Sequence, residues 1–176
     1  MDDNTRLVVD LKRVSNYARR NKKENHEFRI WVKVDLKLSD QKLDALVHQI
    51  ARDVSDRVDC TACGNCCRPM LVAVDNDDIA LLAKSQKISF MAFERRAVMR
   101  AEDGEKCLIR TPCDFLSGNM CTVYEYRPKA CRDFPYLHHP EFRKRMLTAI
   151  DNTEVCPIAY NTIELLKREL KFPRKT

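Results

Sequence analysis

The chain has 176 residues, 32 of them Lys or Arg and 26 Asp or Glu, for a formal net charge of +6. With 44% hydrophobic and 33% charged residues, three glycines and seven prolines, it is neither collagen-like, nor Gly/Ser low-complexity, nor wholly disordered. No run of about 18 apolar residues offers a membrane span, and the mild positive charge does not by itself mark a nucleic-acid binder.

The length fits one domain with an extension. The first residues, Met1-Asp2-Asp3-Asn4, are acidic and polar. No secretory leader is expected there, and a cytoplasmic location is. Leu7, Leu11, Val14 and Ala18 recur at helical spacing and predict a first helix near residues 5–20. Beyond a polar stretch, Phe28, Ile30, Val32, Val34 and Leu36 alternate with Arg29, Trp31, Lys33 and Asp35. That period of two predicts a strand. Ser39 is placed to cap a helix carrying Leu43, Leu46, Val47, Ile50, Ala51, Val54 and Val58 on one face. This helix ends just before Cys60. Further on, Asp75 to Asp78 suit the first turn of a helix containing Ile79, Leu82 and Ala83, and Ser89 suits the cap of another containing Phe93 and Ala97. From Gly104 to Pro140 the chain lacks periodicity and is rich in Cys, Pro and aromatics. Such a segment is held by metal bonds rather than by a large core. Pro157 suits the first position of a closing helix marked by Ala159, Ile163, Leu166 and Leu170, and the tail from Lys171 to Thr176 is expected to fray.

These elements predict a mainly α fold with irregular metal-stapled loops and a small α+β element at the N-terminus. Residues 1–58 form an N-terminal extension of helix, strand and amphipathic helix. Residues 59–160 form a cysteine-cluster metal-binding domain, and residues 161–176 a C-terminal helix and tail.

Nine cysteines, about 5% of the chain, fall short of the roughly 8–10% of a secreted disulfide scaffold. All lie between Cys60 and Cys156. In a reducing compartment such clustering points to metal ligands or redox groups. Cys60, Cys63, Cys66 and Cys67 read C-x2-C-x2-C-C, with Gly64 allowing a tight turn. The first three repeat the spacing of a bacterial iron–sulfur run, and Cys156-Pro157 supplies a remote Cys-Pro. Adjacent cysteines seldom point the same way, so Cys66 and Cys67 can serve different centres. Cys60, Cys63, Cys66 and Cys156 can then hold one centre. Cys67, Cys113, Cys121 and Cys131 can hold a second. Four thiolates suit tetrahedral zinc or a 4Fe-4S cluster equally.

Five blocks carry a resemblance: Cys60 to Arg68, Pro112-Cys113-Asp114-Phe115-Leu116, Cys121 to Pro128, Cys131-Arg132-Asp133-Phe134-Pro135, and Cys156-Pro157. Asp78-Ile79 adds a short helix start. Together they resemble the YkgJ-like cysteine-cluster family, described as a zinc- or iron-chelating domain. The resemblance covers about residues 59–158. It implies eight metal ligands: Cys60, Cys63, Cys66, Cys67, Cys113, Cys121, Cys131 and Cys156. Cys107 falls outside the pattern and is read as a bystander. Members of the family are often labelled iron–sulfur oxidoreductases, and the domain resembles part of a flagellin lysine methylase. A redox or group-transfer role is what this implies by analogy.

Other residues are read more plainly. Arg127 and Arg132 are expected to compensate the charge of a thiolate site. Tyr124, Glu125 and Asp133 are expected to pin the metal loops, and His138-His139 to lie in an exposed loop. Lys12 to Lys33 carries eight basic residues against Glu24 and Glu27. It is read as a solvated face, with RNA or an acidic protein partner as the alternative. Two classes of function stay open: an iron–sulfur redox or transferase protein, and a structural zinc module that presents a binding surface.

Overall fold

The computed structural model describes residues 6–173. The acidic start Met1-Asp2-Asp3-Asn4 and the end of the tail, 174–176, lie outside the described residues. In chain order the helices are α1 (Leu11–Arg20), α2 (Lys22–Val34), α3 (Asp40–Ser55), α4 (Asn76–Ser85), α5 (Phe90–Ala97), α6 (Lys129–Asp133), α7 (Phe142–Asp151) and α8 (Pro157–Glu169). Four short strands, β1 (Val98–Arg100), β2 (Lys106–Leu108), β3 (Leu116–Ser117) and β4 (Met120–Cys121), form two antiparallel pairs, β1 with β2 and β3 with β4. The fold is mainly helical, and no described helix is long and apolar enough to cross a membrane.

The chain divides into two compact units. One combines residues 1–59 with 135–176; the other runs from Cys60 to Phe134. The first is all helix. Val14 and Ala18 of α1, Phe28 and Val32 of α2, Leu43, Val47 and Val54 of α3, Met146 of α7 and Ile163 and Leu166 of α8 are all buried. The Asp10 carboxylate caps α1 by accepting from Arg13 N at 2.8 Å, and Ser39 Oγ caps α3 by accepting from Lys42 N. Lys167 is fully buried on α8, and its ammonium meets Glu24 at 2.8 Å and Glu164 at 2.6 Å.

The N-terminal strand expected from alternation is a helix, so the α+β element is corrected to three successive helices. Alternation would bury Phe28, Ile30, Val32 and Val34 together. Ile30 is 47% exposed and Val34 68%, whereas Asn25, Phe28 and Val32 are buried. Positions 25, 28 and 32 share a helical face, and tertiary packing overrides the local β-like pattern. The first helix is shorter than expected, because residues 6–10 are not helical and the extended Asp10 is the cap. Helix α7 has no local start signal. Its N-cap Glu141 is left-handed (φ 61°), and the orphan amides of Glu141 and Phe142 both donate to Asp44 of α3 at 2.8 Å. Arg143 anchors the same turn on Asp40 (2.6 Å), Leu38 O (2.6 Å) and Val32 O.

The second unit has a smaller core, built from Val72, Val74, Ile79, Leu82, Ala83, Phe93, Ala97, Leu108, Phe115 and Val123. Helix α4 starts with a full capping box between Asp75 and Asp78. Cys107 sits in β2 opposite Met99 and is 7% exposed.

Candidate metal centre

All nine cysteines are present as thiols. The first four leave α3 on a run of turns. Cys63 N donates to Cys60 O at 3.3 Å, Arg68 N to Asn65 O at 3.1 Å and Met70 N to Cys66 O at 3.2 Å. Gly64 stands in this run at φ +56°, and a Cβ there would lie 2.4 Å from the carbonyl oxygen of Asn119. No other residue type fits without moving backbone. Arg68 fastens the same approach. Its guanidinium donates to Gly64 O (2.7 Å), Gly118 O (3.0 Å) and Asn119 Oδ1 (2.6 Å). The cysteine loop is thereby tied to the β3–β4 turn.

Three further thiols arrive on separate segments. Cys113 follows a cis Thr111–Pro112 peptide, and its N–H donates to Cys67 O at 2.8 Å. Cys121 ends the β3–β4 hairpin opposite Leu116, with Thr122 N and Oγ1 both donating to Phe115 O. Cys131 lies on α6, a single helical turn whose Lys129 N–H donates to Asp78 Oδ1 at 2.9 Å. Asp78 is 4% exposed, so one buried carboxylate both closes the capping box of α4 and starts α6. Cys113, Cys121 and Cys131 all pack against the apolar core of this unit.

Electrostatics group these thiols. The Cys67 thiol is lowered to about 6, chiefly because Cys66 donates a hydrogen bond to it, against a burial penalty and with help from the Arg68 charge. Cys131 is pushed up to about 12, first by burial, then by the like charges of Cys67, Cys113, Cys121 and Asp78. Burial also raises Cys113 and Cys121; both feel Cys67, and the Arg127 charge pulls Cys121 back down. The Cys67 charge raises its three half-buried neighbours, so the four thiols cannot all ionise alone. A soft cation in their midst would replace the protons and remove the repulsion. The donor set therefore fits a thiophilic metal.

Of the cysteines expected to bind metal, Cys67, Cys113, Cys121 and Cys131 are brought into mutual electrostatic reach. Cys66 joins them through its bond to Cys67. Cys63 is half-buried and Cys60 exposed in the same loop. Cys156 belongs to the helical unit, where it is buried and caps α8 ahead of Pro157. Arg127 stacks 3.7 Å over the Tyr124 ring, donates to Tyr124 O and draws Cys121 down by its charge. Arg132 is engaged on Asp78 and on Arg127: its charge lies 3.9 Å from Asp78, and it also donates to Arg127 O. Asp133 pairs with Lys129, one helical turn away. Within the helical unit, His138 is exposed and His139 half-buried, their rings 4.5 Å apart. Sequence reasoning missed the grip of Arg68 on Asn119 and the double duty of Asp78. Only the Arg that directly follows the double cysteine was visible as a signal.

A thiolate-lined unit with two arginines beside it defines a metal-chelating class. The family comparison agrees. Residues 59–157, more than half of the chain, match the family model CxxCxxCC, entitled "Putative zinc- or iron-chelating domain", and the chain belongs to this family. No curated protein and no solved structure matches it.

Proposed function

We propose that the unit Cys60–Phe134 is a tetrathiolate metal centre built on Cys67, Cys113, Cys121 and Cys131. The charge coupling among those four thiols carries this reading. Cys60, Cys63 and Cys66 form a second donor group in the same loop. The family pattern adds Cys156, whose part is proposed from the sequence alone. The C-x2-C-x2-C run favours an iron–sulfur cluster for at least one centre. A bound cluster would supply one-electron chemistry, and the protein a redox or group-transfer role. The thiols hold the group, Arg68 and Arg127 offset its negative charge, and Gly64 lets the loop approach the hairpin.

The second reading is a structural zinc module. Four protein thiolates close a tetrahedral site and leave no open position for catalysis. Its surface would then be the functional part. Lys12, Arg13, Arg19, Arg20, Lys22, Lys23 and Lys33 are exposed on α1 and α2, where an acidic protein or RNA could meet them.

Anaerobic purification with elemental analysis and a visible spectrum separates the readings. A brown protein with iron and labile sulfide, bleached by dithionite, supports the cluster. A colourless protein with zinc supports the module. Equal metal content in wild type and Cys131→Ser would overturn the ligand assignment itself.

A further inference from the structure

The helical unit holds a pocket of about 110 Å³, partly open to solvent, on the face of α2 that carries Lys22, Asn25 and Arg29, one helical turn apart in succession. Ile150 and Asp151 of α7 and Glu154 line it as well. Asn25 is only 2% exposed, yet its Oδ1 accepts no hydrogen bond, and the buried Nε–H of Arg29 donates none. Buried polar atoms are nearly always satisfied, so each orphan calls for an explanation. These two are complementary. One needs a donor, the other an acceptor, and both belong to residues lining one space.

Charge narrows the choice of occupant. Lys22 and Arg29 contribute cations, while Asp151 and Glu154 contribute carboxylates, Glu154 also lying 3.6 Å from Arg19. Water would satisfy two orphan atoms without any need for charges of both signs. A zwitterion uses all four. Its carboxylate would accept from Arg29 Nε and face Lys22, and its ammonium would donate to Asn25 Oδ1 on the side of Asp151. For scale, a cavity of about 150 Å³ holds the six heavy atoms of a benzene ring, so this one suits a molecule of about four or five heavy atoms. We propose that it binds the smallest α-amino acid, glycine, and alanine less well. This site is independent of the cysteines and does not rest on the metal reading.

The test uses the full chain as purified, ¹⁵N-labelled, titrated with glycine and with L-alanine. The side-chain amide of Asn25 and the Nε–H of Arg29 report directly. Both resonances should shift saturably. Acetate and methylamine, the two halves of the ligand, should bind at least tenfold more weakly than glycine. Arg29→Lys keeps the charge but removes the Nε–H, and should weaken glycine at least tenfold while the spectrum stays folded. Asn25→Leu should do the same from the other end. Shifts by acetate as strong as by glycine would overturn the zwitterion in favour of a plain anion site. Unshifted Asn25 and Arg29 resonances at saturating amino acid would mean that the cavity holds only water, and would overturn the proposal.

Discussion

The helical unit buries Phe28, Leu43, Phe142, Met146, Ile163 and Leu166 completely. The cysteine unit buries only Ile79, Leu82 and Phe93 to the same degree, and much of its chain is turn. In the first, long amphipathic helices supply enough apolar area, at about 25 cal/mol per Å², to fold on packing and caps. In the second, segments of two to five residues bring their thiols to the edge of a small core. The lesson lies in where the polar groups go. The helical unit pairs its fully buried ammonium internally, Lys167 meeting Glu24 and Glu164. The cysteine unit gathers thiols that repel one another as they ionise, and so leaves its electrostatics to be completed by a cation.

That contrast breaks most decisively under metal removal. Structural zinc–thiolate sites supply about 10–16 kcal/mol in small peptides. Chelation should therefore abolish amide protection across 60–134, while α3 and α8 keep much of theirs in hydrogen exchange. Uniform loss, or none, would erase the distinction between the units. Next comes Phe28→Ala, which should cost about 3–5 kcal/mol through the cavity it leaves. It should lower the unfolding midpoint with metal content unchanged. Gly64→Ala should cost about 2–4 kcal/mol, since both the positive φ and the Asn119 carbonyl oppose the new methyl. It should lower metal affinity in a competition with a chelator, and retention of full affinity would show that the loop tolerates a shift.

A milder test concerns pH in the metal-free protein. The Cys67 thiol is depressed from 9.0 to about 6, so it is thiolate at pH 7, while Cys113, Cys121 and Cys131 remain protonated. Iodoacetamide should modify Cys67 before those three, with a rate that rises from pH 5 and levels off above about pH 7, as mass spectrometry of the peptides would show. Bound metal should protect it. The smallest effect belongs to Cys107→Ser. Metal content should not change, but a buried hydroxyl in β2 should cost about 1–2 kcal/mol. The pattern of the sequence marks Cys107 as a bystander to the metal; its burial makes it part of the fold.

Legibility followed the range of the interactions. Helix α3 was readable because its cap at Ser39 and its stripe from Leu43 to Val54 are local. The starts of α4, α5 and α8 were readable for the same reason, through Asp75, Ser89 and Pro157. Helix α2 was misread because five alternating positions look like a strand until tertiary contacts choose which of them to bury. Helix α7 was invisible because its cap is Asp44, nearly a hundred residues away. In the site, cysteine identities and spacing were plain. The grip of Arg68 on the Gly118–Asn119 turn was not, because it joins residues fifty apart that carry no metal-binding signature.

The helical unit is made from two pieces of chain, and the cysteine unit is the stretch between them. The Asp44 carboxylate on the amides of Glu141 and Phe142, and His139 O beside His48 Nε2 at 3.3 Å, join the two pieces. Those contacts close loops spanning 91 to 98 residues, whose entropy cost grows as (3/2)RT ln n and is about 4 kcal/mol plus a constant if the loop is slack. An intervening segment already drawn together by a metal has less freedom left to lose. Metal uptake thus acts as a tether as well as a ligand, raising the cooperativity with which helices far along the chain find one another during folding.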